Sequence, residues 1–176
     1  MKIIGSVRED LSTEKRVSVT PESVKKFIDL GFSVNLEKKY AEHLGIKDED
    51  YKKKGANIDF SKEEIFKKSE IILKVNCLSD TEANLIKNKS ILIAQFDPSF
   101  NKDVINKLIK NDITIFSLNL LPRITRAQSM DVLSSQANLA GYKAVIESFS
   151  MFEKAIPMMI TAAGTVPAAK VLVIGV

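Results

Sequence analysis

Five short apolar runs rich in Ile and Val, at 3–7, 32–36, 71–75, 91–94 and 113–116, are separated by longer stretches whose apolar residues recur at helical spacing. Runs this short and continuous suit strands buried on both faces, and their alternation with amphipathic segments predicts a parallel sheet covered by helices. Thr20-Pro21-Glu22 supplies an N-cap, a proline at the first helical position and an acid in the first turn, so the pattern predicts a helix over 21–30, closed by Gly31. Ser61-Lys62-Glu63-Glu64 has the form of a capping box and starts a second helix that feeds the strand at 70–75. A third helix is predicted over 100–110, with Val104, Ile105, Leu108 and Ile109 on one face.

The pattern changes after Phe116. Residues 117–130 show no sustained period, and a long helix is predicted from about Asp131 to Lys154, small residues filling its first half and bulky ones its second. Pro157 ends that stretch, and the run Lys170-Val171-Leu172-Val173-Ile174-Gly175-Val176 reads as a further strand. The expected architecture is α/β, a flavodoxin- or Rossmann-like parallel sheet with helices on both faces. After it come a connecting helix and the first strand of a second Rossmann domain. The expected division is a first lobe over 1–130, an interlobe helix over 131–155 and the start of the second lobe over 156–176.

Charge narrows the chemistry. The formal charge of +4 is spread over both parts of the chain, and the lysine-rich pieces at 47–54 and 62–68 mix both signs at helical spacing, so they read as solvated helix faces and not as a nucleic-acid stripe. A single histidine and a single cysteine leave no Cys/His metal cluster and no intrachain disulfide. Cys77 has no basic neighbour in sequence and reads as a structural thiol, and His43 as a loop residue. No segment has the length and continuity of a membrane span.

Of the 26 basic residues only Arg8, Arg16, Arg123 and Arg126 are arginines, so the positions that use a planar fork in place of a lysine are informative. Each could simply pair with a nearby acid such as Glu9, Glu14 or Asp131. The densest polar set is Arg123-Ile124-Thr125-Arg126-Ala127-Gln128-Ser129-Met130-Asp131-Val132-Leu133-Ser134-Ser135, where an arginine, an amide, a carboxylate and hydroxyls gather at a loop-to-helix junction. Such a set can hold a polar ligand, or Asp131 or Ser129 can act only as the helix N-cap. Lys74 lies near the C-terminal end of a strand, where ligands approach open α/β sheets; the alternative is an edge lysine facing water. The strand that reaches Gly175 could open a dinucleotide fingerprint, whose first glycine makes the tight turn toward a pyrophosphate.

Together these segments resemble the NAD(H)-binding component (alpha subunit, domain I) of the proton-translocating nicotinamide nucleotide transhydrogenases. The likeness rests on Gly5-x-x-Arg8-Glu9, Arg16-Val17-x-x-Thr20-Pro21, the strand Ile71–Asn76, the block Pro122–Asp131, Leu133-Ser134-Ser135, Asn138–Tyr142 and Thr161–Pro167. The resemblance implies a two-lobed subunit closing around NAD(H), with Arg123, Gln128, Asp131 and Ser134 at the nicotinamide and its ribose and Gly175 at the start of the nucleotide-binding turn. It implies direct hydride transfer from NADH to NADP held by a partner domain, coupled to proton movement through a membrane domain. It also implies a homodimer peripheral to the cytoplasmic side of the inner membrane.

The chain would carry the nicotinamide side of this site, and apolar residues such as Val145, Phe149, Val171 and Val173 are expected to be exposed or covered by a second copy. Alanine dehydrogenases resemble the same opening and would use residues like Arg16 and Lys74 on an oxoacid. That family places a catalytic histidine where this chain reads Gln95-Phe96-Asp97-Pro98. A flavodoxin-like binding module without catalysis is the third reading.

Overall fold

The computed structural model describes residues 2–174 and divides the chain into two compact units, Met1–Met130 and Asp131–Val176. In the first, strands β1 (Ile3–Ser6), β2 (Ser33–Glu37), β3 (Asn57–Phe60), β4 (Ile71–Asn76), β5 (Ile91–Gln95) and β6 (Thr114–Ser117) form one sheet in the order β3-β2-β1-β4-β5-β6. Every neighbouring pair is parallel. The crossovers carry helices α1 (Pro21–Asp29), α2 (Asp48–Lys52), α3 (Lys62–Lys68), α4 (Asp80–Ala83) and α5 (Lys102–Lys110).

Caps fix where these helices start. The Thr20 side chain accepts the Ser23 N–H ahead of Pro21, and Ser61 and Glu64 complete the reciprocal box read from the sequence. Ser79 and Glu82 form an equivalent box at α4. Alternation along the strands divides the core into two clusters. Ile72 of β4 joins Phe66, Leu92 and Leu108 in one, whereas its neighbours Ile71 and Leu73 pack with Val34, Leu36, Tyr51 and Ile58 in the other. β1 carries Gly5 because a side chain there would collide with α3: an added Cβ would lie 2.2 Å from Ser69 Oγ and 2.7 Å from Ile65 Cγ2.

Two elements of this unit escaped the hydrophobic pattern. β3 reads Asn57-Ile58-Asp59-Phe60 with only Ile58 buried, so it lacks the continuous apolar run that marked the other strands. α4 is a single turn, too short to show a period.

The second unit departs further from expectation. Helix α6 runs Val132–Met151, ending before Pro157, and none of its residues is buried. Its apolar side chains Leu139, Tyr142, Val145, Ile146 and Phe149 are all exposed, as expected for Val145 and Phe149. Next comes an antiparallel hairpin, β7 (Met159–Thr161) with β8 (Gly164–Val166), turned by Ala162-Ala163 with Gly164 at φ 131°. The strand expected over 170–176 is not formed at 170–174, which is irregular. A strand exists only where a neighbour receives its N–H and C=O groups, and no such neighbour pairs with this stretch among the described residues. The first strand of a second Rossmann domain is therefore not observed, and the candidate Gly175 lies outside the described residues.

Candidate functional site

In an open parallel sheet of this order the direction of winding reverses between β1 and β4, and the loops leaving their carboxyl ends diverge to open a crevice. A cleft of about 810 Å³ lies there, lined by the loop after β1 (Arg8 to Thr13), the end of β4 and the turn into α4 (Lys74 to Ser79), and Gln95 of β5. The loop after β1 is anchored from below. Ser6 Oγ and Ser18 Oγ donate to the Leu73 carbonyl at 2.7 and 3.1 Å, and both hydroxyls meet Tyr40 Oη. His43 Nε2 lies 2.7 Å from the Lys15 carbonyl, which gives the lone histidine a structural tie to the same loop.

Lys74 does not face water. β4 lies between β1 and β5, and the Lys74 side chain is 5% exposed. Its Nζ donates to both Glu82 carboxylate oxygens at 3.1 Å and lies 3.4 Å from Glu9 Oε2. Glu9 accepts the Val75 N–H at 2.7 Å, while Glu82 accepts the Ser79 N–H at 2.9 Å and the Lys62 ammonium at 3.2 Å. The two carboxylates are pushed apart. Burial raises the Glu9 carboxyl above its ordinary 4.5 despite the Lys74 charge and the Val75 N–H. Burial acts the same way on Glu82, but the Ser79 N–H, Lys74 and Lys62 together hold it below 4.5. From the sequence Glu9 stood out only beside the arginines and Glu82 not at all, although the Ser79-x-x-Glu82 box was there to be read. Cys77 lines the same cleft, and burial chiefly pushes its thiol up.

The arginines divide into two pairs. Arg8 is bound to Glu37 through its backbone N–H (2.8 Å) and its Nε (3.1 Å), and Arg16 grips Glu14 with Nε and Nη2 at 2.9 and 2.7 Å. Both therefore pin the loop after β1. Arg123 and Arg126 are exposed, and neither their side chains nor that of Gln128 has a hydrogen-bond or ion-pair partner among the described residues.

These three residues belong to a loop that ends in a 3-10 turn, Thr125–Met130, in which only Ala127 is buried. In the second unit Asp131 is the N-cap of α6: one carboxylate oxygen accepts the Ser134 N–H at 2.9 Å and the other the Ser134 hydroxyl at 2.6 Å. The capping role considered for Asp131 is thus real, and the cap fixes the carboxylate in place. An unpaired guanidinium fork and an unpaired carboxamide can donate hydrogen bonds to a polar ligand, and an oriented carboxylate can accept them.

Sheet order and a polar crevice at the switch point place the chain among the doubly wound, Rossmann-like α/β domains. More particularly, it belongs to the family described as alanine dehydrogenase/PNT, N-terminal domain, whose pattern matches residues 5–140. It is 42% identical over 180 residues to the first part of the NAD(P) transhydrogenase subunit alpha of Rickettsia prowazekii (strain Madrid E), covering 100% of this chain and 47% of that protein. The crystal structure of transhydrogenase from Sinorhizobium meliloti superposes with a TM-score of 0.88 at 44% identity, covering 96% of this chain and 50% of that one. The alanine dehydrogenase of Methanococcus maripaludis is 29% identical over 156 residues, 86% of this chain and 40% of that protein. The chain spans about half the length of these two transhydrogenase relatives. No helix among the described residues is long and apolar enough to cross a membrane.

Proposed function

We propose that the chain forms part of the NAD(H)-binding component of a proton-translocating transhydrogenase, and contributes the nicotinamide side of its cofactor site. The observation that carries this reading is the 42% identity that runs the length of the chain to a transhydrogenase alpha subunit. In this reading residues 1–130 are the first lobe, 131–155 the connection, and 156–176 the approach to a nucleotide-binding lobe.

Arg123 and Gln128 direct their unpaired donors to the carboxamide and ribose, and Asp131, held by Ser134, accepts from the ribose or carboxamide N–H groups. The bound cofactor supplies the hydride chemistry, and these residues supply orientation. NADP(H) sits on a partner domain and proton movement occurs in a membrane domain, so this chain lies at the cytoplasmic face of the membrane and pairs with a second copy.

The test is hydride transfer from NADH to NADP+ in a protein of the relatives' full length carrying this segment. Arg123→Ala and Asp131→Ala should each lower the rate at least ~10-fold, the effect of losing about 1.4 kcal/mol of orienting interaction. Unchanged rates would overturn the assignment of these residues and favour a non-catalytic binding module. NAD-dependent oxidation of L-alanine by the same protein would favour the alanine dehydrogenase reading.

A further inference from the structure

The residues that line the crevice between β1 and β4 all belong to the first unit, and the function proposed above gives them no task. Its charges do not point to an anion. Each lining cation is already engaged by a lining carboxylate: Arg8 by Glu37, Lys62 by Glu82, and Lys74 by Glu9 and Glu82. The remaining acid, Asp10, has one carboxylate oxygen taken by the backbone N–H and hydroxyl of Ser12. An incoming carboxylate or phosphate would meet no free positive charge and would have to displace a buried internal partner.

What the cleft does offer is a pair of carboxamides. Asn76 and Gln95 are register partners at the carboxyl ends of the adjacent parallel strands β4 and β5, both line the cleft, and both are half-buried. Neither side-chain amide has a hydrogen-bond partner among the described residues. Each therefore presents two donors and an acceptor into a crevice whose walls include Leu11 and Leu78. A primary carboxamide is the complementary group: it has the same donors and acceptor, it pairs reciprocally with another amide, and it carries no charge to desolvate. The cleft volume is in the range that holds a ring-sized molecule.

We infer that this cleft binds a small neutral primary carboxamide, held by Asn76 and Gln95, and that it discriminates against the isosteric carboxylate. The inference stands on residues 76 and 95 and on the closed ion-pair network, so it can fail while the reading of 123–134 survives, and the reverse.

The experiment is NMR titration of the 15N-labelled chain with nicotinamide and, separately, with nicotinate, which replaces the amide by a carboxylate on the same ring. Nicotinamide should shift the side-chain NH2 resonances of Asn76 and Gln95 in a saturable way, and nicotinate should bind at least ~10-fold more weakly. Asn76→Leu and Gln95→Leu, at half-exposed positions, should each weaken nicotinamide binding at least ~10-fold. A parallel titration with NADH distinguishes a free amide from the nicotinamide end of a dinucleotide: shifts at 76 and 95 with both assign the cleft to either source, and shifts with nicotinamide alone restrict it to the free molecule. The inference is overturned if neither amide resonance moves on saturation with nicotinamide, if nicotinate binds as well, or if the leucine variants bind normally. The wild-type titration decides the matter even if a variant fails to fold.

Discussion

Replacing Lys74 by methionine would leave two buried carboxylates facing each other without the cation between them. The Glu9 and Glu82 side chains are 4% and 8% exposed, so water can do little to rescue either. Breaking one member out of a buried ion pair costs about 3–5 kcal/mol, because the remaining charge stays desolvated. Two features of the site move the expectation to the low end of that range. Glu82 keeps the Lys62 ammonium at 3.2 Å and the Ser79 N–H, and Glu9, whose carboxyl burial already raises, can take up a proton.

We expect Lys74→Met to cost about 3 kcal/mol at neutral pH, measured by urea denaturation followed by far-ultraviolet circular dichroism. The pH dependence has a definite sign. Without Lys74 the folded Glu9 carboxyl rises further above its unfolded value, so the folded state holds a proton that the unfolded chain releases above about 4.5. The variant's deficit relative to wild type should therefore grow as pH rises from 4.5 and shrink on acidification. Glu9→Gln in the Lys74→Met background should recover at least ~1 kcal/mol by replacing the orphaned charge with a neutral amide. A Lys74→Met protein within ~0.5 kcal/mol of wild type at pH 7, or no recovery in the double variant, would refute the view that this lysine neutralises a buried acidic pair.

Further expectations come from the same unit. Gly5→Ala should cost about 1–3 kcal/mol in the same denaturation assay, since its Cβ meets Ser69 Oγ at 2.2 Å. Ser69→Ala alone should stabilise by up to about 1 kcal/mol, because that hydroxyl is buried with no hydrogen-bond partner among the described residues. Tyr51→Phe should cost about 1–2 kcal/mol by removing the buried hydrogen bond that Tyr51 donates to the Val19 carbonyl at 3.0 Å. Glu70 is held below its ordinary 4.5 by the Ile3 N–H first and by Lys87 next, so its contribution is present above 4.5 and lost as pH falls through the folded value. Glu70→Gln should accordingly flatten the decline of the urea midpoint below pH 4.5.

Much of the first unit was written in the chain. Interior strands bury both faces and so read as continuous Ile/Val runs, and the caps at Thr20 and Ser61 form as their residue types dictate. β3 was missed because Asn57-Ile58-Asp59-Phe60 alternates polar and apolar residues, whereas the other edge strand, β6, was read from the run Ile113-Thr114-Ile115-Phe116. The run at 170–174 has the composition of a strand but is unpaired among the described residues, since pairing depends on a neighbouring strand, which composition does not encode. The hairpin over 159–166 turns on Ala162-Ala163, which carries none of the Asn-Gly or Gly-first chemistry that announces a tight turn.

The candidate sites show the same division. That arginine stands out against lysine could be read directly, but which arginines were tied down was a matter of tertiary distance: Arg8 found Glu37, 29 residues away, and not the adjacent Glu9. The partners of Lys74 lie 65 and 8 residues away in sequence, brought together only when the loop after β1 and the turn into α4 meet at the switch point. Asn76 and Gln95 likewise become a pair only through the β4–β5 register.

Whether 123–134 is the nicotinamide side of an NAD(H) site can be settled by calorimetric titration of NADH. The chain would take the place of the matching segment in a full-length transhydrogenase alpha subunit, and the protein would be compared with its Arg123→Ala and Gln128→Ala variants. The parent protein should bind NADH, and each variant should bind at least ~10-fold more weakly with its thermal stability unchanged, since both side chains are exposed. Equal affinity in parent and variants would remove these residues from the cofactor site.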